Sequence, residues 1–302
     1  MKDNLVSKTS FCFICVSLFC SSFLGMGFPY IIKHSGTSWF LSLLIGFVVS
    51  LVLLFIYFKI FNLLPEKNIV EKIKTIFPKV IGNILIYLLF LIFFLFSIIM
   101  FWRYSTFISS EFLTETPNFI IALLVSLPII YAALLKFDVI SRTSNIIILM
   151  CMSFYLLNFT SLFNSIDFTN FKPLFITPIK DTIKVGIISG VIQTAPIFIT
   201  LIIPKSKITK NEKITRSILI SYVVSFLAIS GSIFSIIGVL GLNIANLYTF
   251  PSYIVLKTIN VLTLGMSTPF SIIVVQTRMS YFLSMKSLTT ASRPFSGIWP
   301  CA

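Results

Sequence analysis

The segment Ser21–Pro29 reads SSFLGMGFP and interrupts the first long apolar run of the chain with two glycines and a proline. A second segment, Ser189–Pro196, reads SGVIQTAP and adds polar side chains to the same two helix breakers. Glycine weakens a helix and proline removes a backbone donor, so both segments predict a broken helix. Unwound backbone inside a bilayer needs protein or a wet cavity around it, which makes such a break a ready site for a small polar ligand.

The composition around these segments is that of a membrane protein. Of the 302 residues, 57% are hydrophobic and 11% are charged, and the mean hydropathy is +1.03. About a quarter of the residues of a soluble domain are charged, so soluble enzymes, secreted disulfide scaffolds and DNA-binding domains are excluded. The net charge of +14 is expected to orient helices in lipid and not to bind nucleic acid.

Apolar runs long enough to cross a bilayer predict about eight spans. A span needs about 20 residues, and the runs free of Asp, Glu, Lys and Arg are 9–32, 34–58, 80–102, 116–135, 143–166, 185–204, 217–256 and 258–277. The seventh run is too long for one helix. We interpret it as a span to about Leu240, followed by an external or re-entrant piece near 247–262. The eighth span is better drawn as Pro269–Met285, although it contains Arg278.

Charge placement orients these spans. With the N-terminus inside, 16 Lys and Arg residues fall in cytoplasmic segments and 5 in external ones, while Arg103 and Arg278 lie within spans. Positive residues near short loops stay preferentially in the cytoplasm, so both termini are predicted to be cytoplasmic. The connector Pro65–Lys79 has apolar residues at helical spacing and is predicted to be a helix on the cytoplasmic interface, with a solvated loop as the alternative.

The spacing of the two breaks suggests an internal repeat. Gly25 and Gly190 are 165 residues apart, and each lies in the first helix of a five-span block. This pattern favours an all-helical integral membrane protein with a five-plus-five inverted-repeat (LeuT-like) transporter fold and a site between spans 1 and 6. The alternative is a chance coincidence of two kinks, because membrane helices are rich in Gly and Pro.

The chain is predicted to be a single transmembrane domain, 1–302, that contains two repeats. The first repeat is 9–164, the second is 183–285, and 286–302 is a polar tail. The last two spans of the second repeat are missing on this count, so we expect a chain that is truncated or frame-shifted relative to a complete transporter.

A ligand between the breaks would meet residues of spans 1, 3 and 6. The candidate binding residues are Gly25, Met26, Gly27, Phe28, Arg103, Ser189, Gly190, Gln193 and Thr194. Gln193 and Thr194 are the polar side chains best placed to orient a ligand. Arg103 could meet an anionic group of the ligand or extend to lipid headgroups. Glu111 and Glu115 are expected to be solvated in an outer loop.

Catalytic and metal sites are not expected. His34 is the only histidine and has no Ser or Asp arrangement around it. Cys12 and Cys15 have CxxC spacing but no second pair and no nearby His. We therefore predict no enzyme activity, no cofactor and no metal.

Several short stretches in order resemble the membrane-embedded B subunit of spore nutrient germinant receptors. This spore germination permease family belongs to the amino acid, polyamine and organocation transporter superfamily, and the resemblance covers roughly residues 5–285. The stretches are Gly25–Pro29 with Ser35–Trp39, Trp102–Tyr104 with Phe107–Ile108 and Thr116–Pro117, Asp167–Pro173 with Lys180, Pro204–Lys213, and Tyr248–Leu256.

The resemblance implies a germination function. It suggests a multi-pass protein of the bacterial cytoplasmic membrane, in the inner membrane of a spore, that binds a small nutrient germinant such as an amino acid. It also implies two partners, a receptor A subunit with a soluble domain and a C lipoprotein. The family typically has ten spans. The alternatives are an autonomous amino-acid permease and a truncated, non-functional relative.

Overall fold

The computed structural model describes residues 6–134, 137–172, 177–209 and 213–258, and these form a helical bundle. The α-helices are α1 (Lys8–Ser22), α2 (Phe28–Ser35), α3 (Trp39–Asn62), α4 (Ile69–Ile76), α5 (Lys79–Glu111), α6 (Asn118–Leu134), α7 (Phe137–Phe163), α8 (Ile179–Thr194), α9 (Ile214–Ala245) and α10 (Pro251–Thr258). Within the described ranges the only β-type pairing is an isolated bridge between Val6 and Ile208.

The helices confirm an all-helical membrane protein. In the described part of the chain, five helical segments are long and apolar enough to cross a bilayer: Phe28–Asn62, Lys79–Glu111, Arg142–Phe163, Ile179–Ile202 and Ile214–Ala245. Lys8–Ser22 and Asn118–Tyr131 are shorter apolar helices. The predicted eighth span, Pro269–Met285, and the tail 286–302 lie outside the described residues.

The predicted breaks are changes of helix type. Between α1 and α2, Phe23–Gly27 is a π-helical turn, in which the Phe28 amide donates to the Phe23 carbonyl. After α8, Ala195–Ile202 is a 3₁₀-helix. The expectation of unwound backbone is therefore wrong at both points. Gly27 (φ −69°, ψ −41°) and Ala195 (φ −51°, ψ −39°) keep right-handed helical angles, which preserve backbone hydrogen bonds where proline or glycine would otherwise open the helix.

The helical part of two further predictions is confirmed, while the membrane side of each stays a prediction. Helix α9 contains a bend at Gly241, whose φ of 71° and ψ of 159° suit a residue without a β-carbon, close to the predicted end at Leu240. The short helix α10 follows it, where an external piece was predicted. The amphipathic connector forms α4, which begins with a capping box between Asn68 and Glu71.

Helices α3 and α8 form the closest pair in the bundle, because small residues line both faces. Ser42, Gly46 and Ser50 on α3 are four residues apart, as are Thr182, Gly186 and Gly190 on α8. The Ser42 hydroxyl donates to the Thr182 carbonyl at 3.1 Å, and the Ser50 hydroxyl donates to the Gly190 carbonyl at 3.0 Å. A β-carbon on Gly190 would lie 2.5 Å from the Gly46 carbonyl oxygen, so only glycine fits there.

These contacts run in parallel register. The Thr177 hydroxyl donates to the Ser35 carbonyl before the helices begin, and the Lys205 ammonium donates to the Asn62 side chain after they end. Parallel helices must cross a membrane in the same direction. The predicted topology requires this of spans 2 and 6, because an even number of crossings separates their starts.

Segments that were predicted to be cytoplasmic meet at one end of the bundle. Val6 pairs with Lys207 and Thr209 through its backbone, and the Ser206 amide donates to the Pro65 carbonyl. Lys72 is 3% exposed and donates to the carbonyls of Ile60 and Phe61 at the end of α3. Burial lowers the pKa of Lys72, and the positive charge of Lys205 lowers that pKa further.

Burial separates central from peripheral helices. In the most apolar stretch of Ile179–Ile202, 61% of residues are buried, against 22% in Lys79–Glu111. On α3, the outward face carries exposed apolar side chains such as Val48, Val52 and Phe55. Such a face suits lipid, so α5 and the outward face of α3 border the bilayer, while α8 is more buried but still exposes Ile183, Ile187 and Val191 on one side.

Candidate functional site

Two side chains at the end of α8 are buried with an unpaired polar atom each. Gln193 is 2% exposed and Thr194 is fully buried. Among the described residues, neither Gln193 Nε2 nor Thr194 Oγ1 has a hydrogen-bond partner. An unpaired buried polar group costs about 1 to 3 kcal/mol, so two adjacent ones make the end of α8 a candidate site for a polar ligand or water.

Both residues sit where α8 turns into the 3₁₀-helix. Pro196 has no amide hydrogen, and the eight residues of the 3₁₀ segment exceed the usual run of three or four. This change of helix type directs the Gln193 and Thr194 side chains into the bundle without satisfying them. Mid-helix 3₁₀ and π segments occur often at functional sites.

The π turn of the first span packs close to this region but is filled by its own side chains. A β-carbon on Gly27 would lie 2.6 Å from the Phe23 ring, which therefore occupies the open side of that glycine. Phe28 is 1% exposed and meets Phe23 edge-on, with ring centroids 5.6 Å apart. Met26 is half-buried. At Gly25 the backbone is π-helical.

Ser189 and Gly190 belong to the contact between α3 and α8. The Ser189 hydroxyl donates to the Gly186 carbonyl at 2.8 Å, and the Gly190 carbonyl accepts from Ser50. The structure therefore gives both residues helix-packing contacts, while their predicted role in ligand binding stays a prediction.

Arg103 is half-buried and lies over the Phe250 ring, 5.1 Å from its centroid. Phe250 and Tyr253 pack with Phe107 in an aromatic cluster that fastens α10 to the end of α5. Arg103 thus contacts the end of the bundle where α5 meets α10. Contact with an anionic ligand stays a prediction.

The expectation of a solvated Glu111 is wrong. Its carboxylate is 3.6 Å from the Lys257 ammonium, and the Glu111 side chain is only 15% exposed. The reason is that α10 folds back onto α5 and brings Lys257 to Glu111. This contact joins distant parts of the chain, so it could not be predicted from the sequence. Glu115 is exposed, as expected.

Sequence reasoning missed Tyr222 on α9. Its side chain is fully buried, and its hydroxyl lies beside the Ser50 side chain. The ring stacks on Phe47 at 5.7 Å and meets Phe19 edge-on at 5.2 Å. The only local signal was a tyrosine in an apolar run, which is equally typical of ordinary packing.

Charged side chains are rare in the described interior. Among the described residues that are buried, Lys72 is the only charged one, and it lies at the end of α3 that is predicted to be cytoplasmic. No group of three His, Cys, Asp or Glu side chains comes together in the part of the chain that the structure describes. The groups described near the end of α8 are hydroxyls, an amide and backbone carbonyls, which can form hydrogen bonds with a polar ligand.

A family model described as spore germination protein matches residues 4–293, which is nearly the whole chain. No curated protein matches the chain.

Proposed function

The chain belongs to the spore germination protein family, and from this membership we propose that it is the transporter-like membrane subunit of a nutrient germinant receptor. In this proposal it binds a small nutrient, an amino acid, and takes part in triggering germination. It is not an enzyme, and it needs no cofactor.

The observation that carries the proposal is the pair of unpaired polar atoms on Gln193 and Thr194. They lie at the change of helix type in α8, next to helices α1 and α3, and they are fully withdrawn from solvent. A ligand that supplies their missing partners gains hydrogen bonds in a place where water is largely excluded. The predicted contacts with Gly25, Met26, Gly27, Phe28 and Arg103 are part of this proposal.

The proposed fold is the five-plus-five inverted repeat with a repeat boundary between α7 and α8. The parallel register of α3 and α8 supports it, because the second helix of one repeat and the first of the next must then run in the same direction. The π turn after α1 and the 3₁₀-helix after α8 are its two discontinuities, one in the first helix of each repeat.

The proposed setting is the inner membrane of the spore, with an A subunit and a C lipoprotein as partners. The family match and the apolar helices support a membrane location. If the partners supply contacts to the exposed apolar faces, deletion of either neighbouring subunit gene should lower the abundance of this chain in spores. Unchanged abundance together with amino-acid uptake by this chain alone would favour the alternative, an autonomous permease.

The test of the site is Thr194→Val, which removes the unpaired hydroxyl and keeps the shape. We expect the amino-acid concentration for half-maximal germination to rise roughly 5- to 150-fold, since a hydrogen bond to ligand contributes about 1 to 3 kcal/mol. Germination is followed as the fall in optical density of a spore suspension. Protein abundance should not fall, because the wild-type hydroxyl has no partner to lose.

Thr182→Val is the matched control on the same helix. Thr182 is 1% exposed, and its hydroxyl donates to the Pro178 carbonyl at 3.1 Å. Its loss should lower stability slightly and leave the half-maximal concentration unchanged. If both variants shift the half-maximal concentration equally, or if only the control shifts it, the ligand does not bind at Thr194.

A further inference from the structure

The end of the bundle that is predicted to be cytoplasmic is strongly basic. The connectors 59–79 and 204–216 hold ten Lys and Arg residues against three Glu. Among the described residues, three of these lysines have no carboxylate partner: Lys59, Lys74 and Lys79. The positive charge at this end is therefore not balanced within the described chain, and it suits an anionic partner.

Helix α4 is held at a fixed depth against α3 and α5. The buried ammonium of Lys72 donates to the Ile60 carbonyl in the last turn of α3 at 2.8 Å. A β-carbon on Gly82, in the first turn of α5, would lie at an ordinary contact distance of 3.6 Å from the Ile73 carbonyl oxygen of α4. The end of α3, the helix α4 and the start of α5 therefore lie at a similar depth in the bundle.

The outward surfaces of α3 and α5 change from apolar to charged at this depth. On α5, the exposed Lys79 directly precedes Val80, which is 71% exposed and begins the lipid-facing surface of that helix. On α3, the Lys59 ammonium lies 4.7 Å from the centroid of the Phe55 ring, which is also exposed. Each helix thus places an ammonium group at the edge of its apolar surface.

Helix α4 and the turn after it expose side chains of both kinds. Lys74 is exposed, and the exposed apolar side chains of Ile76 and Phe77 follow it directly before α5. Apolar side chains that continue a lipid-facing surface and are edged by lysines match the boundary between acyl chains and headgroups. A soluble acidic partner would leave the apolar side chains without a matching environment, so a lipid surface fits this end better.

We propose that this surface, which we call the basic rim, binds anionic phospholipids. The basic rim consists of three lysines and three apolar residues: Lys59, Lys74, Lys79, Ile76, Phe77 and Val80. The ammonium groups bind the phosphate oxygens of the headgroups, and the apolar side chains enter the acyl region. This inference goes beyond the proposed function, because it concerns the membrane and holds whether the chain senses a germinant or transports one.

The experiment measures lipid binding to the purified full-length chain in detergent by native mass spectrometry. Phosphatidylglycerol and phosphatidylcholine with identical acyl chains are the probes, since they differ in headgroup charge. A lysine near an anionic surface adds roughly 5-fold to affinity, so three add up to roughly 100-fold. We expect wild type to prefer phosphatidylglycerol by roughly 10- to 100-fold, and the preference to fall as ionic strength rises.

The test variant replaces Lys59, Lys74 and Lys79 together by glutamine and should lose most of this preference. Arginine at the same three positions keeps the charge and should retain the preference. The matched control is the triple variant Lys33→Gln, Lys180→Gln and Lys184→Gln, which removes the same charge from exposed lysines at the opposite end. The control should keep the wild-type preference.

Three outcomes would overturn the proposal. They are equal affinity of wild type for the two lipids, an equal loss of preference in both glutamine triple variants, and an unchanged preference in the variant of the basic rim. In the third case, a fall in the abundance of that variant in spores would assign the lysines to an acidic protein partner.

The unfolding temperature in detergent without lipid checks that the variants fold. It should stay near that of wild type, because the three lysines have no carboxylate partner to lose. If the triple variant is less stable, the single variant Lys74→Gln carries the test, with an expected loss of roughly 5-fold in preference. Phe77→Ser should weaken the binding of both lipids alike, and unchanged binding of both would contradict insertion of the apolar side chains.

Discussion

The contact between α3 and α8 gives the sharpest test of the structure, through the substitution Gly190→Ala. The new β-carbon would lie 2.5 Å from the Gly46 carbonyl oxygen and 3.1 Å from the Gly46 α-carbon, whereas ordinary contact begins at 3.4 Å. Both atoms belong to backbone, which cannot rotate away. The helices must therefore move apart by about 0.9 Å at this point, the difference between the ordinary distance and the enforced one.

The energetic cost has two parts and one offset. Overpacking typically costs about 1 to 3 kcal/mol. The same shift would stretch the bond from Ser50 to the Gly190 carbonyl from 3.0 Å to about 3.9 Å, beyond hydrogen-bond distance, and lose about 0.6 kcal/mol. Alanine has a better helix propensity than glycine, which offsets up to about 1 kcal/mol of this cost. We expect a net destabilisation of about 1 to 3 kcal/mol.

Thermal unfolding in detergent measures this effect through the thiol of Cys15, in a background where Cys12, Cys20, Cys151 and Cys301 are replaced by serine. Cys15 is fully buried, so a fluorogenic thiol reagent reaches it only when α1 separates from the bundle. Gly82→Ala is the matched control, because the nearest atom to its new β-carbon is the Ile73 carbonyl oxygen at an ordinary 3.6 Å. The control should keep or raise the unfolding temperature. An unfolding temperature for Gly190→Ala at or above wild type would refute the close packing.

Two further predictions concern the cytoplasmic end and the topology. Lys72→Met should lower the unfolding temperature more than Lys74→Met, because Lys72 satisfies two carbonyls at the end of α3 while Lys74 is exposed on the same helix; equal effects would contradict the capping role. In intact cells, cysteines introduced at 59–81 and 204–216 should be protected from an impermeant reagent and those at 109–116 should react, whereas the reverse pattern would invert the predicted topology.

The helices could be predicted because apolar runs of sufficient length have few alternatives in a bilayer. The first span was predicted at 9–32, and the structure has helix from Lys8 to Ser35 through the π turn. The breaks were also located correctly, since glycine and proline act locally. Their geometry could not be predicted, because whether a glycine unwinds or enters a π turn depends on neighbours such as Phe23, which covers Gly27.

The pairing of helices was harder to predict than the helices themselves. The sequence does contain a signal for the contact between α3 and α8, because each helix carries small residues at intervals of four. They are Ser42, Gly46 and Ser50 on α3 and Thr182, Gly186 and Gly190 on α8. This spacing shows that one face of a helix carries small side chains, but it does not show which other helix packs against that face. The same holds for Glu111, whose partner Lys257 lies 146 residues later in the chain and is brought to it only by the fold-back of α10.

The contacts of α3 also explain how unpaired donors stay in position at the end of α8. Ser50 holds Gly190 just before the change of helix type, and the Tyr57 hydroxyl donates to Thr200 just after it, because Thr200 uses its own hydrogen on the Ile197 carbonyl. The segment between these two attachments carries Gln193 and Thr194. Because the backbone is anchored on both sides of Gln193 and Thr194, a ligand bound as proposed would lose little affinity to ordering this segment.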